Sequence, residues 1–165
     1  MARMSGGGLE VFDLEGKEAP RVVCREISVP RHLVLSRDGE TLFVSARGTI
    51  YALPMKELQK AGGTVHGRSL HAGSGLRTIA LNREGDRLYA VDNHASTLSC
   101  IDLKRWKILQ TVPVPRYAVG LAVSPDGKTV VTTSQGKNGE GGHVVTVYAV
   151  HGDSQQAKDG APQER

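Results

Sequence analysis

Arg31 and Arg77 are residues whose type and spacing could do chemistry. Each lies eight residues before a glycine, Gly39 or Gly85, at the turn of a repeated phrase. If equal offsets mean equal orientation, the two guanidinium groups form part of a basic arc. A guanidinium is planar and pairs bidentately with a carboxylate or a phosphate, so such an arc would suit an anionic ligand. The same residues read equally well as solvated loop charges or as salt-bridge partners between repeats.

Other chemistries have less to stand on. The chain has six histidines, but none is paired at the spacing of a metal site. His94 beside Asp92 is the best local pair, and Asp92-Asn93-His94 is also an ordinary turn. No G-x-S-x-G elbow occurs, and Gly73-Ser74-Gly75 reads as a flexible loop. No catalytic residue, metal or cofactor is therefore expected. Lys104-Arg105-Trp106-Lys107 joins basic charge to an aromatic ring, a combination that single-stranded nucleic acid favours. The competing reading is a solvated turn with Trp106 packed on a sheet edge, and nucleic acid is not the expected partner. The glycine-rich residues 136–142 lack the phosphate-loop pattern and a following helix.

Composition sets the frame in which these residues must be held. A length of 165 residues fits one domain. Twenty glycines and 4% aromatics suit many short strands and turns. The net charge of +4 is too small to argue for nucleic acid. Cys24 and Cys100 fall in different repeats and imply no disulfide framework. No window approaches the roughly 18 apolar residues of a membrane span. The start, MARMSGGGLEVFDL, lacks the apolar core of a signal peptide. The chain as written is expected to be cytoplasmic, with no membrane partner.

The positioning elements come from the repeated phrase. Residues 33–44 read LVLSRDGETLFV, residues 79–91 IALNREGDRLYAV and residues 120–131 GLAVSPDGKTVV. Their turn glycines, Gly39, Gly85 and Gly127, are 46 and 42 residues apart. A fixed period in this range marks a repeat architecture. Each copy is an apolar run, a turn and a second apolar run, which predicts a hairpin. Two further strand patterns follow most copies, and residues 55–61, MKELQKA, read as a short helical insertion. Four short strands at this period make the blade of a β-propeller. The expectation is an all-β propeller segment of four-stranded antiparallel blades, an open arc. It has a partial first blade at 1–30, full blades at 31–70 and 77–114, and a partial last blade at 117–151. Residues 152–165 are almost devoid of apolar side chains and are expected to be a disordered tail.

RLYAVDNHASTLSCIDLKRWKILQTVPV at 87–114 and RYAVGLAVSPDG at 116–127 resemble the YVTN-repeat β-propellers, relatives of bacterial lactonase-like and surface-layer propellers. The resemblance covers about residues 9–150. LYAVDN at 88–93 sits at that family's tyrosine-valine signature, while Phe43 replaces the tyrosine in the first copy and VVTT at 130–133 lacks it in the third. The resemblance implies ligand binding around a central channel, at loops between blades and between second and third strands. The first group holds Arg31, His32, His71, Arg77, Arg116 and Tyr117; the second holds Arg47, Asp92, His94, Lys137 and His143. Of these, Arg31, His32, Arg77, His94, Arg116 and Tyr117 are the candidate ligand-binding residues. Seven blades would need roughly 300 residues, so the chain is expected to be part of a ring. Scaffold likeness does not carry function. The leading expectation is a non-enzymatic binding module for a protein or small anionic ligand, with self-association through open blade ends. The alternatives are a partial or degenerate lactonase-type enzyme and a non-functional fragment of a longer propeller.

Overall fold

The three repeated turns are closed by local chemistry. The carbonyls of Ser36, Asn82 and Ser124 accept the N–H of Gly39, Gly85 and Gly127 at 3.0, 3.2 and 2.9 Å. The glycines have φ of 75°, 76° and 70°, the left-handed region that glycine enters at little cost. In the first copy Asp38 accepts the Ser36 hydroxyl and the Glu40 N–H, and the Ser36 oxygen accepts the Thr41 N–H. Asp126, Ser124, Lys128 and Thr129 repeat this arrangement in the third. The second copy has glutamate at 84, and Asn82 takes over. Its Oδ1 accepts three N–H groups, from Gly85, Asp86 and Arg87, and its amide donates to Glu84 and Asp86.

A Cβ on Gly127 would meet only the far end of Glu84, at 3.5 Å. Gly127→Ala should therefore lose only the left-handed strain energy, about 1 kcal/mol, and Gly127→Asn less. Urea denaturation of the two variants checks both the magnitude and the order.

The computed structural model describes residues 7–60, 64–139 and 142–151. Strands β1 (Leu9–Val11) and β2 (Arg21–Cys24) form a two-stranded sheet. A second sheet holds β3 (Pro30–Leu35), β4 (Thr41–Ala46), β5 (Thr49–Pro54) and, after helix α1 (Met55–Gln59), β6 (Arg68–His71). The third holds β7 (Leu76–Leu81), β8 (Arg87–Asp92), β9 (Thr97–Asp102) and β10 (Lys107–Pro113). The fourth holds β11 (Ala118–Val123), β12 (Thr129–Ser134) and β13 (Val145–Ala149). Neighbouring strands in each sheet are antiparallel and follow chain order.

Three apolar clusters lie between successive sheets. Leu9, Val23 and Ile27 meet Val44 and Leu53; Phe43 and Ile50 meet Ile79, Leu88 and Ile101; Tyr89, Val91 and Leu98 meet Ala118 and Val130. The first strands β3, β7 and β11 are neighbours in that order. The chain is an all-β, propeller-like open arc of four-stranded antiparallel sheets with shorter sheets at its ends.

Several strand ends differ from the sequence pattern. The run 9–14 stops at Val11, because the Asp13 carboxylate collects the N–H groups of Glu15, Lys17 and Glu18 into a turn. The run 21–29 stops at Cys24, Val29 has φ 53°, and Pro30 opens β3 opposite Ala46 rather than closing a strand. The last strand of the blade expected at 31–70 is β6, which runs on to His71. The proposed tail at 152–165 lies outside the described residues. Among the described residues no helix is long and apolar enough to cross a membrane.

Candidate anion-binding arc

Each first strand carries a β-bulge near its start. Pairing passes from Pro30↔Ala46 to His32↔Ser45, from Leu76↔Asp92 to Ile79↔Ala90, and from Ala118↔Ser134 to Gly120↔Thr133. Arg31 and Arg77 sit at equivalent bulged positions, and Val119 holds the third. A bulge re-aims the side chain it carries. Both arginines thus belong to strands, not to the loops in which the sequence pattern places them. The repeat offset reported a bulge, which needs the partner strand to be seen.

The strands that carry the two arginines pack side by side. Arg31 is exposed and Arg77 half-buried. Burial lowers the Arg77 pKa, and the positive charge of Arg31 lowers it further. An anion set between two like charges would relieve their repulsion as well as gain hydrogen bonds.

His32 also joins the two strands. Its Nδ1 accepts the Ile79 N–H at 3.4 Å, and burial lowers its pKa. A neutral imidazole there ties β3 to β7. Ser45, fully buried, completes the seam: its oxygen accepts the His32 N–H at 3.1 Å and its hydroxyl donates to the Arg77 carbonyl at 2.5 Å. Ser45 was not among the sequence candidates. A small hydroxyl after the apolar run 42–44 of β4 was the available signal.

Asp92 organises the adjoining loops. Its buried carboxylate accepts the N–H groups of Ser74 and Gly75 on one oxygen and of His94 and Ala95 on the other. Burial pushes its pKa up, but these four bonds outweigh that and leave it lowered. The pair Asp92–His94 is thus a loop clamp made through the histidine backbone. Gly73-Ser74-Gly75, read above as flexible, is tied to Asp92. A Cβ at Gly73 would strike the Asp92 carboxylate and one at Gly75 the His94 ring.

Arg116 and Tyr117 form the turn that enters β11, where Tyr117 has φ 61° and its carbonyl accepts the Gln135 N–H. The structure thus gathers Arg31, His32 and Arg77 on the β3–β7 seam. His94 lies against Gly75 at the entrance to β7, and Arg116 and Tyr117 stand at the next first strand. Among the described residues no three His, Cys, Asp or Glu side chains gather as metal ligands. Trp106 packs inward: its ring lies 6.4 Å from that of Phe43, its Nε1 donates to the Ser69 carbonyl, and Arg68 stacks over it at 4.8 Å.

No family model matches this chain. Antigen Lp49 from Leptospira interrogans is 30% identical over 124 residues, covering 68% of this chain and 25% of its own length. Among solved structures, hydrazine synthase from Kuenenia stuttgartiensis superposes with a TM-score of 0.57 at 24% identity, covering 66% of this chain and 30% of that one. A Bacteroides fragilis protein provisionally described as a 6-phosphogluconolactonase gives 0.59 at 20% identity, covering 81% and 36%. Its Bacteroides uniformis counterpart, described in the same way, gives 0.60 at 17%, covering 76% and 38%. The chain therefore spans a quarter of the curated relative and between three and four tenths of these solved chains. At such identities the likeness is one of fold, and the fold is an all-β, propeller-like arc of four-stranded antiparallel sheets.

Proposed function

We propose that this chain is a non-enzymatic binding module built from YVTN-type propeller blades, taking a carboxylate or phosphate ligand on Arg31 and Arg77 at the channel face. The observation that supports it is the pair of guanidinium groups at equivalent bulges of two adjacent first strands. The Ser45 and His32 side chains bond the backbone of β7 and tie the two sheets together, so the charges are presented by rigid elements rather than by loops. Self-association through the open ends belongs to the same proposal.

Citrate or inorganic phosphate should bind, and more weakly as salt rises, because partly exposed charges are screened over about 10 Å at 0.1 M salt. Arg31→Ala and Arg77→Ala should each weaken binding about tenfold, the loss of one charge-assisted pair. Isothermal titration of the two variants is the measurement. Binding that survives both substitutions would remove the arc from consideration.

The competing reading is a lactonase-type enzyme, favoured by the descriptions of the two Bacteroides proteins. The sequence places no paired carboxylates in the loops around the arc. Turnover of a sugar-phosphate lactone by the purified chain, abolished by Arg31→Ala, would favour this reading over simple binding.

A further inference from the structure

The chain has three asparagines, and the fold holds them differently. Asn82 is 9% exposed, and its amide closes the second repeated turn: Oδ1 accepts three N–H groups and Nδ2 donates to Glu84 and Asp86. Asn93 is half-buried, and its Nδ2 donates to the Ala118 carbonyl at 3.1 Å. The residues that follow these two, Arg83 and His94, each carry a Cβ beside the next backbone nitrogen. Asn138 is exposed on the connection from β12 to β13, and the residue after it is Gly139.

Asn138 and Gly139 form a turn with φ of 54° and 83°, the left-handed pair of a type I′ turn. Gly139 is itself exposed, and a Cβ added to it would meet nothing within 4 Å. The Asn138 amide carbon stands one methylene from its own Cα. Once the Asn138 backbone rotates out of the left-handed region, the Gly139 nitrogen can close a five-membered ring on that carbon. Exposed turns open locally at small free energy. Opening this one leaves β12 and β13 paired at five positions, from Thr129↔Ala149 to Thr133↔Val145.

We infer that Asn138 is a site of spontaneous modification, at which the exposed Asn-Gly turn converts its side-chain amide to a carboxylate. The Gly139 nitrogen loses its proton and bonds Asn138 Cγ. The Cγ–Nδ2 bond breaks, and Nδ2 leaves with a proton as ammonia. Water then adds to one of the two carbonyls of the cyclic imide. Opening on one side gives aspartate; opening on the other gives isoaspartate, with the main chain running through the side-chain carbon. One water is consumed and one ammonia released, and nothing is oxidised or reduced. Either product takes one unit from the net charge of +4 and sets an anion next to Lys137 in the chain. Isoaspartate also lengthens the main chain by one methylene, which a tight two-residue turn absorbs only by losing its left-handed geometry. The site is separate from the arginine arc, and its test leaves that reading untouched.

The full chain is incubated folded, at neutral and at mildly alkaline pH, then digested and sequenced by mass spectrometry. Conversion is expected at Asn138, faster in proportion to hydroxide because the attacking nitrogen must lose its proton. In the folded chain it should run at least about tenfold faster than at Asn82 and Asn93, which the fold holds closed. Urea should narrow that gap by releasing both. Gly139→Ala should slow conversion roughly tenfold, since a Cβ beside the attacking nitrogen crowds the closing ring. Asn138→Asp supplies the charge marker on ion exchange, and Asn138→Ala should abolish the drift toward it. Three results would each overturn the inference: an intact Asn138 in the folded chain where the urea-unfolded chain converts, equal conversion at all three asparagines, or a charge drift that persists in Asn138→Ala.

Discussion

Sedimentation of the purified chain across a wide concentration range is expected to show association, not a monomer throughout. The reason lies in two equivalent faces with opposite fates. Val145 and Val147 on β13 pair with Thr133 and Val131 as Leu98 and Cys100 on β9 pair with Val91 and Tyr89. Leu98 is 4% exposed because the fourth sheet covers it, whereas Val145 and Val147 are 66% and 65% exposed. At the other end of the arc Val11, Phe12 and Leu14 are also exposed. Apolar faces of this kind mark association surfaces, and the outer edge of β13 has no ladder partner among the described strands. Two arcs meeting end to end would cover both faces in the way successive sheets do within the chain. Burying one valine side chain is worth about 1.5 kcal/mol or more. The double change Val145→Asp, Val147→Asp should therefore weaken association by about 3 kcal/mol, roughly a hundredfold. A concentration-independent monomer in the unaltered chain would disprove the end-to-end contact.

Replacing Asp92 should cause the largest stability loss among the polar residues of the site. Asp92→Ala removes the acceptor of four backbone N–H groups in a buried place. At about 1 kcal/mol for each hydrogen bond, and allowing partial rehydration, the expected loss is about 3 kcal/mol. That corresponds to a fall in Tm of about 9 °C for a domain of this size. Asp92→Asn keeps one acceptor oxygen and should lose about half as much. The pH dependence has a definite sign. The folded pKa lies below the unfolded value of 3.8, so the stabilisation is fully present above that value. It is lost as pH falls through the folded pKa. Asp92→Asn should therefore flatten the stability profile below pH 4 and leave its slope near neutrality unchanged. Thermal melts at pH 7 and pH 3 distinguish this from a general loss of packing, which would lower both equally.

The contrast between Gly39 and Arg31 shows what could be read from the chain without its fold. The turn around Gly39 closes within six residues, through Ser36, Asp38 and a glycine that needs positive φ. Such chemistry is local, so three copies of it in sequence determined three hairpins, their period and the propeller-like arc. Arg31 and Arg77 were visible as a repeated offset for the same reason. Their bulges were not, because a bulge is a mismatch between two strands. Their shared electrostatics depends on β3 packing against β7, joined by a bond between His32 and Ile79, 47 residues apart. Asp92 carried no sign that its four partners come from two loops. Local turn chemistry was written in the sequence; seams and bulges are made by residues that meet only when sheets stack, and tertiary structure alone decided them.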